Sequence, residues 1–559
     1  MKLWRGALAG WLTFAAAAAQ SVSPSPLLRT LKEELDRNFA ALQAKGDPPP
    51  YFASYAVTEI QTESVTASFG ALQGASGQAQ RFLDVSVRVG SPELDNYRVV
   101  RGERPRFASG LGIPLDNEVV ALRRRVWLET DRVYRAAVQR LMAIKTALQN
   151  EPRKDAAPPD FSQEAPQRHS QLPPPLKVDR EAWCAKARQW SAVLAGQPGI
   201  LASQVTIQAQ REAKYFVNTE GTEIEHGRTY ARIVITAQGK AADGMDLVAT
   251  ESFEADDPSR LPPEARVIAG VEKVKSDLLA LLRAPVVEPY VGPAILSGRA
   301  AGVFFHEIFG HRIEGHRQKD DTEGQTFANS VGSRILPEFL SVSFDATRRQ
   351  AGGVDLNGWY RFDDEGVAGT AVKLVDQGIL RTFLLSRSPL EVGGHSNGHG
   401  RKQPGAEVVA RQSNLIVESS RQVPFAQLRA LLVEEAKRQK KPYGLYFEQV
   451  TGGFTTTGRR GLQAFTVIPL VVYRIWADGR PDELVRGADI VGTPLASFAK
   501  ILATGDRLEV FNGYCGAESG TVPVSAVAPA ILVSEIEIQK KDRSLDRPPY
   551  LSRPSERAE

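Results

Sequence analysis

Between Leu296 and His311 the chain reads Leu-Ser-Gly-Arg-Ala-Ala-Gly-Val-Phe-Phe-His-Glu-Ile-Phe-Gly-His, an apolar helix entered through small residues. Two histidines, His306 and His311, lie in this segment, and Glu307 directly follows the first. The arrangement is close to His-Glu-x-x-His, in which two imidazoles on one helix face hold a metal ion and the glutamate serves as base. One extra residue separates the histidines here, and that has a geometric consequence. Positions five apart on a regular α-helix sit about 140° apart around the axis, so both imidazoles cannot readily face one ion. A π-bulge would widen the turn and bring them together, and Gly310 would ease the distortion. The spacing therefore predicts a kinked or bulged helix between His306 and His311. The plain alternative is a pair of hydrogen-bonded histidines on a core helix.

If a metal binds, zinc suits imidazole and thiolate donors, and a catalytic zinc site keeps three protein ligands and an open position. Glu307 is then the candidate catalytic base. Spacing alone leaves the third ligand open among Glu314, His316, His395, His399 and Cys515. Cys515 lies in Phe511-Asn512-Gly513-Tyr514-Cys515-Gly516, a glycine-flanked turn where a thiolate could act as a soft ligand. Cys184 follows Trp183 on a helical stretch and reads as a small buried hydrophobe. A Cys184–Cys515 disulfide is the remaining possibility, and it would remove the thiolate.

A length of 559 residues suggests two or three domains. Lys and Arg number 69 against 65 Asp and Glu, spread along the chain without a basic stripe, so nothing calls for nucleic acid. Lys2 and Arg5, the apolar run from Gly6 to Ala18 and small residues up to Ala19 have the layout of a secretory signal peptide. The expectation is an exported, periplasmic protein cleaved near Ala19. No later segment reaches the roughly 20 apolar residues of a membrane helix, so no membrane span is expected in the mature protein.

The expected organisation is α+β. An N-terminal domain, 25–289, combines an antiparallel sheet with long helices at Leu27–Ala44, Asn117–Gln149, Arg180–Leu194 and Pro262–Leu282. A Pro-rich, partly extended and exposed connector interrupts it at 151–178. The region 290–540 reads as short strands and glycine turns after one motif helix, with a frayed tail at 541–559. The loop holding His395 and His399 is expected to line a substrate cleft or simply to turn, with a second metal site as the lesser alternative. Asp363, Asp364 and Glu365 read as a turn into a strand. Around Tyr446-Phe447-Glu448 and Gly452-Gly453-Phe454 a peptide could add as a strand, which makes Gly453 a candidate substrate contact.

The residues Phe305 to His311 with Glu314-Gly315, then Phe362 to Gly366, Asn397-Gly398, Gly400-Arg401, Val485 to Ala488, Cys515-Gly516 and Val522-Pro523-Val524, resemble the TldD/PmbA metallopeptidases, also called modulators of DNA gyrase. The resemblance covers about 290 to 540. It implies Zn2+ held by His306, His311 and Cys515, with Glu307 catalytic, on a curved β-rich C-terminal catalytic domain. It also implies a peptide or unfolded protein segment as substrate, and a homodimer or a heterodimer with a related chain. His316 is not part of the family motif and reads as a solvated residue, with a contact just outside the metal ligands as the lesser alternative. The function expected is peptide-bond hydrolysis. A metal-dependent amidase on cell-wall or modified peptides, and an inert zinc-binding assembly subunit, are the alternatives.

Overall fold

The structure, a computed structural model, describes residues 24–149, 158–459, 464–492, 497–541 and 549. The expected signal peptide and almost all of the tail lie outside the described residues. No helix among them is long and apolar enough to cross a membrane.

The N-terminal half is built on two long hairpins, Pro50–Ser68 with Ala71–Ser91 and Ala202–Asn218 with Glu223–Lys240, extended by Asp246–Ala255. The first strands of the two hairpins pair antiparallel, Ser54 opposite Asn218. Side chains two apart share a sheet face, so one face presents Tyr55, Val57, Val65 and Ala67 from one strand and Val205, Ile207, Ala213, Tyr215 and Val217 from another. Two helix pairs cover this face in series. Helices α1 (Pro26–Lys45) and α2 (Val119–Leu148) bury Tyr55, Val57, Tyr215 and Val217. Helices α3 (Arg180–Ala192) and α4 (Glu264–Leu281) bury Val65, Val205 and Ile207.

The same face turns ionic between the two cores. Glu59 bridges Arg81, at 2.6 Å, and Arg211, at 3.0 Å, and all three are buried. Arg211 also donates to the carbonyls of Pro173 and Pro174. The Pro-rich connector thus supplies carbonyl acceptors to this ionic belt, and its Arg168–Ser170 stretch pairs with Glu223–Glu225 as a short parallel strand. Asp160, Phe161 and Ser162 are buried rather than exposed, since Asp160 pairs with Arg98 and the Ser162 carbonyl accepts from Arg387; residues 163–178 are half-buried or exposed.

In the C-terminal half, Tyr290–Leu296, Tyr443–Thr455, Phe465–Trp476, Ala488–Gly492 and Gly520–Lys540 pair in turn and close on one another, Leu296 opposite Ile531. Against this curved sheet lies α5 (Gly298–Ile308), with Phe304, Phe305 and Phe309 packed around Phe465, Phe498 and Phe327. The small residues at its start have a clear task. A Cβ on Gly298 would meet the Ala528 carbonyl at 2.5 Å, and one on Gly302 would crowd Ala526 at 3.1 Å. After a short α6 (His316–Lys319) comes α7 (Phe425–Arg438), a second substantial helix that the reading of short strands did not anticipate. Leu428 and Leu432 set it against Ile295, Ile475 and Leu532.

The ionic belt gives a direct test. Glu59→Ala leaves two buried guanidiniums without a carboxylate and is expected to cost about 3–5 kcal/mol, measured by denaturant unfolding of the variant beside wild type.

Candidate metal centre

Helix α5 stops at Ile308. The Phe309 N–H still donates to the Phe305 carbonyl, but Phe309 has φ −113° and the next turn, Gly310–Arg312, is a tighter 3-10 helix. The predicted kink is therefore a helix end rather than a π-bulge, since the Arg312 N–H bonds back three residues to Phe309 and not five. Gly310 serves packing: a Cβ there would sit 2.0 Å from Gln412 Oε1. The break swings His311 round to His306, with ring centroids 5.0 Å apart and nearly perpendicular at 83°.

Cys515 completes the group. It lies in the Ile501–Ala517 strand, opposite Val522 of Gly520–Lys540, close to the hairpin turn rather than in a loop. Its Sγ is 3.3 Å from His311 Nε2. One donor atom from each of His306, His311 and Cys515 falls within 4.8 Å of the others, a spacing and donor set that fit a single soft-to-borderline metal ion. Both cysteines are free, so the Cys184–Cys515 disulfide does not form; Cys184 packs beside the α3–α4 core. Although burial opposes both charges, the Cys515 thiolate and Glu314 hold the His311 imidazolium well above its usual range, and His311 and His306 hold the thiol well below its own. The pair is a thiolate–imidazolium couple that a cation can enter.

Glu307 lies on the last turn of α5, buried, with Oε2 unpartnered. Burial raises its carboxyl pKa. Gly453 stands against it, so that a Cβ there would be 2.7 Å from Glu307 Cγ. Gly453 is thus brought to the site. His399 is not: it is fully buried, with Nδ1 at 3.0 Å from the Asn397 carbonyl and Nε2 at 3.0 Å from Ser413 Oγ. His395 is exposed, 3.6 Å from a Glu164 carboxylate oxygen on the surface. Where the sequence led us to expect a solvated His316, its side chain is 8% exposed and pairs with the carboxylate of Glu518, which itself reaches the surface.

Sequence reasoning missed the supports. Glu314, with no exposed surface, approaches His311 Nδ1 at 3.4 Å and is flanked by Arg317 at 2.9 Å and Arg411 at 3.2 Å. Buried Arg411 also donates to the Cys515 carbonyl at 2.7 Å. Arg312 donates to the Glu307 carbonyl at 2.9 Å and to Thr455 Oγ1 and the Thr456 carbonyl, fixing the end of α5 to the neighbouring strand. Glu314-Gly315 carried a sequence signal; Arg411, nearly a hundred positions along the chain, carried none. A carboxylate behind a ligating imidazole sets its tautomer and basicity, and removing it costs about 10–100-fold in metal affinity. Glu314→Gln is therefore expected to weaken metal binding by that factor, read by competition with a chelator.

Comparison with known proteins bears on this geometry. The family model for the PmbA/TldA metallopeptidase C-terminal domain matches residues 290–540. A metalloprotease of Methanocaldococcus jannaschii is 28% identical over 320 residues, 56% of this chain and 64% of that protein. A zinc metalloprotease TldD homolog of Saccharolobus solfataricus is 27% identical over 246 residues, 44% of this chain and 51% of that one. The chain thus matches between half and two thirds of the length of these relatives. The crystal structure of TldE from Thermococcus kodakarensis superposes with a TM-score of 0.63, covering 92% of this chain and 100% of that one at 13% identity, which establishes a shared fold. Residues 290–540, with the His306-Glu307…His311 helix in place, thus carry a match to the PmbA/TldA metallopeptidase C-terminal domain, in a chain that shares the fold of TldE.

Proposed function

We propose that the chain is a zinc-dependent peptidase that hydrolyses peptide bonds in peptides or unfolded segments, with His306, His311 and Cys515 holding the ion and Glu307 as base. The observation that carries this reading is the convergence of those three donors beside a buried, unpartnered carboxylate. When bound, zinc would supply Lewis acidity, polarising a carbonyl and acidifying water. Glu307 takes the proton at its carboxylate and delivers it to the departing amine nitrogen. Arg312 holds the Glu307 backbone while it does so.

A peptide substrate is supported by the strand beside Glu307. Tyr443–Thr455 pairs along its length with Phe465–Trp476, whereas its other edge meets Tyr290–Leu296 only through Leu445 to Phe447. Among the described residues no strand takes that edge from Gln449 to Thr455, next to Gly453 and Glu307. An extended peptide can pair there through its backbone, which selects unfolded chain over sequence. An inert assembly subunit would have no use for Glu307. We further infer export to the periplasm, and a dimer with an identical or related chain, since TldE shares the fold.

Three outcomes are expected. Glu307→Gln keeps its zinc by elemental analysis and loses about 10²–10⁴-fold in peptide cleavage. Because burial raises the Glu307 pKa in the metal-free protein, its carboxyl there titrates above the usual value of about 4.3, and NMR titration of metal-free wild type beside Glu307→Gln locates it. Because His311 is protonated and Cys515 ionised before the metal enters, zinc binding near pH 7 releases about one proton, and affinity rises with pH. Calorimetry in buffers of different ionisation enthalpy counts that proton.

A further inference from the structure

Behind the hairpin that carries Cys515 is a second cavity, of about 120 Å³, at the seam between the two halves of the chain. One ordered water needs about 10–15 Å³ of such volume, so the space admits a small molecule. Five cations line it: Lys214, Arg228, Arg361, Arg401 and Lys402. Three acids line it too, but each is engaged. Asp364 is 2.6 Å from Lys214, and Glu212 is 3.5 Å from the same amine. Asp363 turns its oxygens onto the backbone N–H groups of Glu365, Val367 and Gly400. Lys402 is taken by Asp84 at 2.6 Å.

Three guanidiniums are left over. Arg228 donates only to the neutral carbonyl and side-chain oxygens of Asn357. Arg361 is exposed and makes no side-chain bond among the described residues. Arg401, 5% exposed, spends Nη1 on the carbonyls of Gln412 and Pro523 and stacks 4.6 Å from the Tyr360 ring. Its Nε–Nη2 edge, the planar fork that suits an oxyanion, is without a protein acceptor. Burial lowers the Arg401 pKa against the opposing pull of Tyr360 and Asp364. A charge taken out of water without a partner is expensive; Arg401 is such a charge, and with half-buried Arg228 and exposed Arg361 on the same cavity it points to a missing anion.

We propose that this cavity binds a small oxyanion, a phosphate or a carboxylate, between Arg228, Arg361 and Arg401. The anion bridges the N-terminal sheet, through Arg228, to the metal-bearing hairpin, whose Tyr514, Val522 and Pro523 line the same space beside Cys515. The site is independent of the catalytic reading above.

The test is calorimetric titration of the full-length protein with inorganic phosphate and, separately, with acetate, at ionic strength held constant by chloride. Saturable binding of either anion, weakened about tenfold by Arg401→Gln or by Arg361→Gln, is the expected result. Phosphate alone would identify a phosphate site, and acetate, alone or as well, a site that accepts carboxylates. Arg361 is exposed and unpaired, so Arg361→Gln keeps the fold even if Arg401→Gln does not. Absence of saturable binding by both anions, or binding unchanged in Arg361→Gln, would overturn the proposal; the latter would place the anion at the metal or on the surface at large.

Discussion

A carboxylate with no exposed surface stays ionised only if positive charge surrounds it, and Glu314 meets that condition three times over. His311, Arg317 and Arg411 all bear on it, and together they hold its pKa far below the usual range although burial works the other way. Each of the three has a second attachment. His311 approaches the Cys515 sulfur, Arg411 grips the Cys515 carbonyl, and Arg317 reaches Glu518 in the hairpin turn. One buried charge thereby registers the end of α5 against a hairpin some 200 positions away, and the metal donors are a consequence of that register. Removing Glu314 would strip His311, Arg317 and Arg411 of the carboxylate they share in the core.

The N-terminal half supports this arrangement from outside. Arg104 contacts Asp320 at 2.8 Å and Glu518 at 3.2 Å, while Lys402 reaches Asp84 on the long first hairpin. Arg387, fully buried, donates to the Ser162 carbonyl and to Glu220. These contacts across the seam are paired charges and buried hydrogen bonds, and the large apolar cores lie on either side of them.

Much of this was legible in the chain, and the reason is local. His306, Glu307 and His311 are neighbours in sequence, and the four long N-terminal helices announce themselves by apolar periodicity, each found within a few residues. The kink was legible too, though not its form: a tight 3-10 turn serves as well as a π-bulge once Gly310 allows Gln412 to pack against it. What could not be read depends on distant partners. Cys515 stood among several candidates until the family resemblance ranked it, because only the hairpin register brings it to His311. Arg312, Arg411 and the pairing of His316 with Glu518 leave no local trace. Helix α7 was legible as well, with Leu428, Leu431, Leu432 and Ala436 at helical spacing, and the reading of this half as short strands passed over it. The Pro-rich connector looked exposed by composition, yet its carbonyls answer Arg211.

The account turns on three side chains holding one ion, and elemental analysis of purified protein tests that most directly. The prediction is about one zinc per chain in the wild type, with the metal lost or sharply weakened in both His306→Ala and Cys515→Ser. A wild type that takes up no zinc after reduction, or a Cys515→Ser variant that keeps its full complement, would contradict it.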